Sequence, residues 1–362
     1  MADEAQLAAS RCYGVILTAI PVEYSAVRGY LVDPVRHVHP SGTVYEVGRL
    51  PDARGERRIA VAEIGMTCPT AGTETERAIS YFQPVVALFV GVAGGLKDVG
   101  LGDVVAATKV YGYEHGKAEV EFRPRPMVAN SSYPLQQLAR AEARNKAWLG
   151  RIAERTAGPR PRVFVGPIAS GDKVIASQRS AVFGLIRDSF GDALAVEMEG
   201  YGFLQAIQAN FGVQGIVIRG ISDLVEGKAE SDAGGYQELA ACHASAFAVE
   251  LLSKLGETRL PRVAPADLER FRHLKYSTAE RDMEALLECY TPEAVTAAVA
   301  DQYDKEKENA KDDARRRAWL CAALRHVPGA AARTFLGAVA ADSSEHELVR
   351  LETRRALEAH GG

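Results

Sequence analysis

Six short runs of β-branched and small apolar residues recur along the first two thirds of the chain: YGVILTAI (13–20), RRIAVAEIG (57–65), VVALFVGVA (85–93), DVVAATKVY (103–111), ALAVEME (193–199) and QGIVIRGISD (214–223). Their apolar stretches are continuous and do not alternate with polar residues, and strands patterned in this way are covered on both faces. Stretches with helical spacing lie between them, at 22–31, 70–82, 134–155, 178–190, 200–210 and 235–255. This alternation predicts an α/β domain.

The chain has 362 residues, more than the ~100–200 usual for one domain, so a second domain is expected. At ETRLPRVAPADLER (257–270) two prolines and clustered charges interrupt the pattern as a linker would. The boundaries read as 1–256 for the α/β domain, 257–265 for the linker and 266–362 for an all-helical domain. Helical spacing there is carried by residues such as Trp319, Leu320, Ala323 and Leu324. Segments are expected near 266–274, 278–290, 292–308, 312–326, 330–341 and 345–358. No fixed repeat period emerges, so a HEAT-like stack and a compact bundle both remain open.

With 47% hydrophobic and 25% charged residues, the chain has ample material for a core and lacks the composition of a disordered protein. Lys and Arg number 43 against 47 Asp and Glu, a net charge of -4 that gives no general attraction for nucleic acid. Five scattered cysteines without a CxxC pair suggest a reducing compartment and buried thiols. The opening MADEAQLAASRC carries acid where an export signal carries basic charge. The longest apolar run, from Pro84, falls short of the ~20 residues of a membrane helix. A cytoplasmic protein with no membrane partner is expected. His115 stands apart from any ligand cluster, so neither a metal nor an organic cofactor is expected.

Five elements fall at the ends of the expected strands: AIPVEYSAV (19–27), GVAGGL (91–96), SGD (170–172), VEMEG (196–200) and ISD (221–223). Ligands of open α/β sheets sit outside the carboxyl ends of strands, so these elements can converge on one pocket. Their order and spacing resemble the nucleoside phosphorylase/nucleosidase superfamily, especially its methylthioadenosine/S-adenosylhomocysteine nucleosidase branch, over residues 13–256. The resemblance implies a phosphorylase-like three-layer α/β domain, here followed by the C-terminal all-helical domain.

It also implies roles for individual residues. Glu23, at a helix start where the dipole alone favours a carboxylate, would orient and deprotonate the attacking water. Glu199 would hold the ribose hydroxyls, Met198 would pack on the sugar, and Glu197 would support the water or hydroxyl network. A carboxylate so placed also steadies the oxocarbenium-like charge of glycosidic cleavage. Asp223, which after Ser222 also suits a helix cap, would protonate N7 of the leaving adenine, a role that requires burial beside Glu199 to favour the protonated carboxyl.

GVAGGL lacks the GK[ST] of a phosphate loop, and its small residues Val92, Ala93 and Gly94 would let ribose or water approach the backbone. Phosphorylases of the superfamily hold phosphate with an Arg before this glycine and a Ser after it. The chain has Phe89 and Val92 instead, which favours water as the nucleophile. Val92 also replaces a Ser common in the hydrolases. Near the base, Val174 stands where the hydrolases carry an aromatic, Ile175 remains available to pack on adenine, and Lys173 is a cation beside the pocket or a solvated loop residue. Tyr236 aligns with an aromatic that closes over the base.

The resemblance therefore implies an adenine nucleoside or nucleotide N-ribosidase, with Glu23 as base, Asp223 as acid and Glu199 as ribose anchor. Lys173, Lys117, Arg123 and Arg125 tilt the expected substrate toward AMP or ATP. The stretch YGYEHGK (111–117) and the helical tail resemble phosphorylase-like domains of bacterial and fungal immune proteins, implying a regulated antiviral-defence effector. A methylthioadenosine/S-adenosylhomocysteine nucleosidase, a purine nucleoside phosphorylase and a nucleotide-sensing scaffold are the alternatives. A homo-oligomer is expected, with the helical domain free to recruit a protein partner.

Overall fold

The computed structural model describes residues 12–52, 55–120, 122–125, 127–152, 160–210, 212–225, 235–255, 279–308 and 314–360. The chain divides into two compact units, Met1–Ser253 and Lys254–Gly362.

The first unit is built on β1 (Gly14–Thr18), β2 (Val32–Val38), β3 (Val44–Asp52), β4 (Gly55–Glu63), β5 (Val86–Gly95), β6 (Val104–Gly112), β10 (Val163–Ser170), β11 (Ala195–Glu197) and β12 (Gln214–Asp223). These run in the order β11-β10-β6-β12-β5-β1-β4-β3-β2. A short strand, β9 (Met127–Asn130), pairs with β6, and β7 (Gly116–Ala118) and β8 (Phe122–Pro124) form a separate hairpin. The centre is parallel: Gly14 of β1 stands opposite Ile59 and Val86, and Gln214 of β12 opposite Val86. Every residue of β1 is buried, as its uninterrupted apolar pattern requires.

The helices of this unit are α1 (Pro21–Arg28), α2 (Cys68–Phe82), α3 (Tyr133–Asn145), α4 (Ala181–Ser189), α5 (Gly200–Ala209) and α6 (Tyr236–Lys254). They cover both faces of the sheet. Gly215 and Gly220 lie five residues apart on β12 and so face opposite ways. A Cβ at Gly215 would run into Ile207 of α5, and one at Gly220 into the backbone of Ala240 in α6. The expected three layers are thus present.

Several elements depart from the sequence expectation. β2 (VDPVRHV) and β3 escaped notice because β2 is a largely exposed edge strand with a proline and no apolar run. β10 was hidden by Gly166-Pro167, where its register shifts. The helix expected over 134–155 stops at Asn145, since Lys146 is left-handed (φ 62°), and a 3₁₀ turn, Ala147–Arg151, follows. The helix expected from 178 starts at Ala181, where the Ser180 hydroxyl accepts the Phe183 N–H at 3.1 Å. Only Ala195–Glu197 of the run 193–199 is strand.

The second unit is helical: α7 (Ala279–Cys289), α8 (Pro292–Glu308), α9 (Ala314–Ala323), α10 (Ala330–Ala341) and α11 (Glu347–Ala359). α7 packs on α8 and α9, α8 on α9 and α10, and α11 on α9 and α10. Their core includes Met283, Leu286, Val295, Val299, Leu320, Leu336 and Val349. The expected linker at 257–265 and the helix at 266–274 lie outside the described residues. None of the described helices is long and apolar enough to cross a membrane.

Candidate active site

A cleft of about 260 Å³ opens where β1, β4, β5, β10, β11 and β12 end, the expected place for a ligand in an α/β sheet. Glu23, Val92, Ala93, Gly94, Lys173, Val174, Ile175, Glu197, Met198, Glu199, Ser222 and Asp223 all line it, with Ile20, Met66 and Gln237. Tyr236 is replaced in that lining by its neighbour Gln237. α6 begins at Tyr236, and one helical step of about 100° separates adjacent side chains.

Glu23 is placed by the start of α1. Ile20 is extended and Pro21 opens the helix, a favoured first helical residue because its N–H would be unpaired there anyway. The Glu23 carboxylate reaches back to accept the N–H groups of Ala19 (2.7 Å) and Ile20 (3.2 Å) through Oε2. Its Oε1 accepts the Val92 N–H at 2.8 Å. The carboxylate therefore caps a helix and faces the cleft at once. Burial pushes its pKa above the ordinary value, against the pull of Arg219 and these N–H groups.

Sequence reasoning missed Arg219. It lies in the middle of β12, wholly buried, with its guanidinium 4.7 Å above the Phe89 ring. Its Nη2 meets Glu197 in a close ion pair and Glu199 at 2.8 Å, and its Nη1 is 3.7 Å from Glu23. Nε and Nη1 make no hydrogen bond. A Cβ at Gly91 would collide with both Arg219 and Glu23, so the first glycine of GVAGGL makes room for an ion cluster. The signal was present in QGIVIRGISD: one charge in an apolar strand, four residues before Asp223.

Glu197 lines the cleft and is held by protein donors. Its carboxylate accepts the N–H groups of Glu199 (3.1 Å) and Gly200 (2.8 Å) at the start of α5, besides pairing with Arg219. Glu199 gives one oxygen to Arg219 and the other to the Thr67 N–H at 3.3 Å. Thr67 has φ 94°, a region in which a β-branched residue is strained. Burial pushes the Glu199 pKa up to about 7, with Arg219 pulling it down and the carboxylates of Glu197 and Glu23 pushing it further up.

Asp223 is 2% exposed and ends β12. Its carboxylate accepts the Ser222 hydroxyl at 3.0 Å and the Val225 N–H at 3.0 Å, so two donors fix its orientation.

Three of the four cations expected near the cleft are otherwise engaged. Lys173 pairs closely with Glu114, while Lys117 and Arg123 both pair with Glu119. Lys173 alone of the four expected cations lines the cleft. Val174 is 61% exposed and Ile175 is buried. Phe89 sits beneath Arg219, and the Val92 N–H is taken by Glu23, so neither position is shaped to hold phosphate. Among the described residues no cluster of three or more His, Cys, Asp or Glu is arranged to hold a metal ion.

Known proteins share this framework. A 5'-methylthioadenosine/S-adenosylhomocysteine nucleosidase of Staphylococcus aureus is 29% identical over 212 residues, 55% of this chain and 83% of that protein. The crystal structure of the Helicobacter pylori nucleosidase of the same name is 25% identical with a TM-score of 0.56, covering 68% of this chain and all of the other. The Neisseria meningitidis nucleosidase, solved with methylthio-immucillin-A, is 24% identical with a TM-score of 0.55 over 67% of this chain and 99% of the other, a likeness of fold. The family model described as the phosphorylase superfamily matches residues 14–253. This chain belongs to the phosphorylase superfamily.

Proposed function

We propose that the cleft hydrolyses the N-glycosidic bond of adenine nucleosides whose 5′ substituent carries no net charge. The observation that carries this reading is an excess of carboxylate: Glu23, Glu197 and Glu199 share the single guanidinium of Arg219, and Asp223 lies at the same cleft. Breaking a bond between C1′ and a base nitrogen develops positive charge on the sugar, and surplus buried carboxylate stabilises that charge more than it stabilises the neutral substrate.

In this mechanism Glu23, whose proton affinity burial raises, takes a proton from the water that attacks C1′. Asp223 delivers a proton to N7 as the C1′–N9 electrons move into the purine. Glu199 accepts hydrogen bonds from the ribose hydroxyls. The products are adenine and the free sugar, and Asp223 and Glu23 then exchange the proton difference with solvent.

A 5′ group without net charge is favoured over the phosphates of AMP or ATP because Lys173 is already paired with Glu114. A phosphate would enter a cleft lined by four acidic side chains, while Ile20 and Met66 supply apolar wall. The relatives named for methylthioadenosine and S-adenosylhomocysteine support the same choice. The test is chromatography of free adenine released from adenosine, methylthioadenosine, S-adenosylhomocysteine, AMP and ATP. A kcat/KM at least tenfold higher for the substrates without a 5′ phosphate is expected, and a preference for either nucleotide would overturn the reading.

A further inference from the structure

Two walls of the cleft are tied together through a residue that does not line it. Asp172 follows β10, beside Lys173 and Val174. Its N–H donates to Glu114 at 2.6 Å, and Glu114 also holds Lys173. Its Oδ1 accepts the N–H of Cys68 at 2.8 Å. Cys68 is the first residue of α2, and the preceding Thr67 gives that helix no side-chain cap. A carboxylate 104 residues away therefore satisfies an N–H that the helix cannot pair internally. The Cys68 thiol donates to the Met198 carbonyl at 3.3 Å, and the Thr67 N–H donates to Glu199.

We propose that Asp172 is a positioning residue of this site: by capping α2 at Cys68 it holds Thr67 in its positive-φ conformation and keeps the Thr67 N–H on Glu199. The inference rests on the reading of Glu199 as the ribose-holding carboxylate. Thr67 belongs to the segment after β4 and Asp172 to the segment after β10, so one carboxylate couples the wall near Met66 to the wall near Val174. Glu199 is faced by Arg219 from β12, Glu197 from the end of β11 and Glu23 from α1. The Thr67 N–H favours its ionised form. Without that donor, Arg219 alone opposes two neighbouring carboxylates, and Glu199 holds its proton to higher pH.

The test uses the full chain and two readouts. Infrared difference spectra, assigned with Glu199→Gln, follow protonation of the Glu199 carboxyl with or without turnover, and adenine release from methylthioadenosine follows kcat/KM against pH. In the wild type the Glu199 midpoint should lie well above the ordinary carboxylate value, at about 7. Asp172→Ala should raise the midpoint and lower kcat/KM about tenfold near neutrality, the scale of one lost hydrogen bond to a charged group. Asp172→Asn, whose amide oxygen still accepts the Cys68 N–H, should restore both. Thr67→Gly in the Asp172→Ala background should also return the midpoint, since glycine adopts positive φ without strain, and it serves if the single alanine variant does not fold. An unmoved midpoint in Asp172→Ala, or failure of both Asp172→Asn and the glycine background to restore it, overturns the proposal. A wild type that releases adenine from no nucleoside sinks the reading of the site, while the infrared midpoint still decides the role of Asp172.

Discussion

Among the described residues each unit of the molecule buries one arginine against carboxylate, and the two clusters are balanced differently. In the helical unit Arg317 meets Glu345 at 2.7 Å, and Glu345 also accepts the His346 N–H at 2.7 Å and a close hydrogen bond from the Tyr303 hydroxyl. Here one anion meets two cations, Arg317 and, at 3.8 Å, Lys307, and the Arg317, Tyr303 and His346 donors hold the Glu345 pKa below its ordinary value, against its burial. In the α/β unit one guanidinium serves three carboxylates, and burial drives Glu23 and Glu199 upward. The first arrangement fastens α8, α9 and the start of α11. The second holds unneutralised charge at the wall of a cleft, which structural packing alone does not call for.

The sharpest way to break the comparison is to remove single acids. Glu199→Ala and Asp223→Asn should each lower kcat for adenine release about 10²–10⁴-fold with the fold intact by circular dichroism, whereas Glu345→Gln should leave kcat unchanged. Near-wild-type release from either site variant would mean that the excess carboxylate is not used in the reaction.

Next come the arginines. Arg219→Leu and Arg317→Leu each strand buried carboxylate and should each cost about 3–5 kcal/mol in urea unfolding of the unit concerned. Only Arg219→Leu should abolish adenine release. Loss of activity in Arg317→Leu at temperatures where the protein remains folded would erase the distinction between the clusters.

pH should separate the two units by sign. The Glu199 pKa rises from 4.5 to about 7 on folding, so its contribution to stability is complete below 4.5 and is lost as pH rises toward about 7. Glu345 is lowered from 4.5, so its contribution is present above 4.5 and is lost as acid titrates through the depressed value. Calorimetry should show the α/β transition falling between pH 4.5 and about 7 and less steeply in Glu199→Gln, with the helical transition falling only below 4.5. Parallel movement of both transitions would contradict the contrast.

How far the sequence anticipates this picture follows from what each residue contributes locally. β1, β5, β6 and β12 are legible because burial on both faces writes a continuous apolar run. β2 is not, because an exposed edge strand with Pro34 carries no such run. The acids of the cleft stand at strand ends and helix starts, where motif and topology coincide. Arg219 does not: its importance comes from three carboxylates brought to it from α1, from the end of β11 and from the residue before α5, a relation with no local signature beyond a charge inside an apolar strand. The link from Asp172 through Cys68 and Thr67 to Glu199 is likewise invisible before folding.

Two smaller effects refine the contrast. A chain ending at Leu255 should keep kcat within about twofold, because each unit has its own core. Failure of that chain to fold by circular dichroism would show that the balanced cluster's unit is needed by the other. Lys173→Ala removes an ion pair whose lysine side chain is 60% exposed, and pairs of that kind contribute at most about 1 kcal/mol. Its kcat/KM for methylthioadenosine should change by less than about fivefold, and a larger change would return the lysine to the binding site.

The most direct measurement follows the sugar product formed from methylthioadenosine with and without added phosphate. With Phe89 under Arg219 and the Val92 N–H held by Glu23, adenine and an unphosphorylated methylthioribose should appear at a rate indifferent to phosphate. A sugar phosphorylated at C1, or a rate that climbs with phosphate, would contradict a carboxylate-rich cleft that activates water.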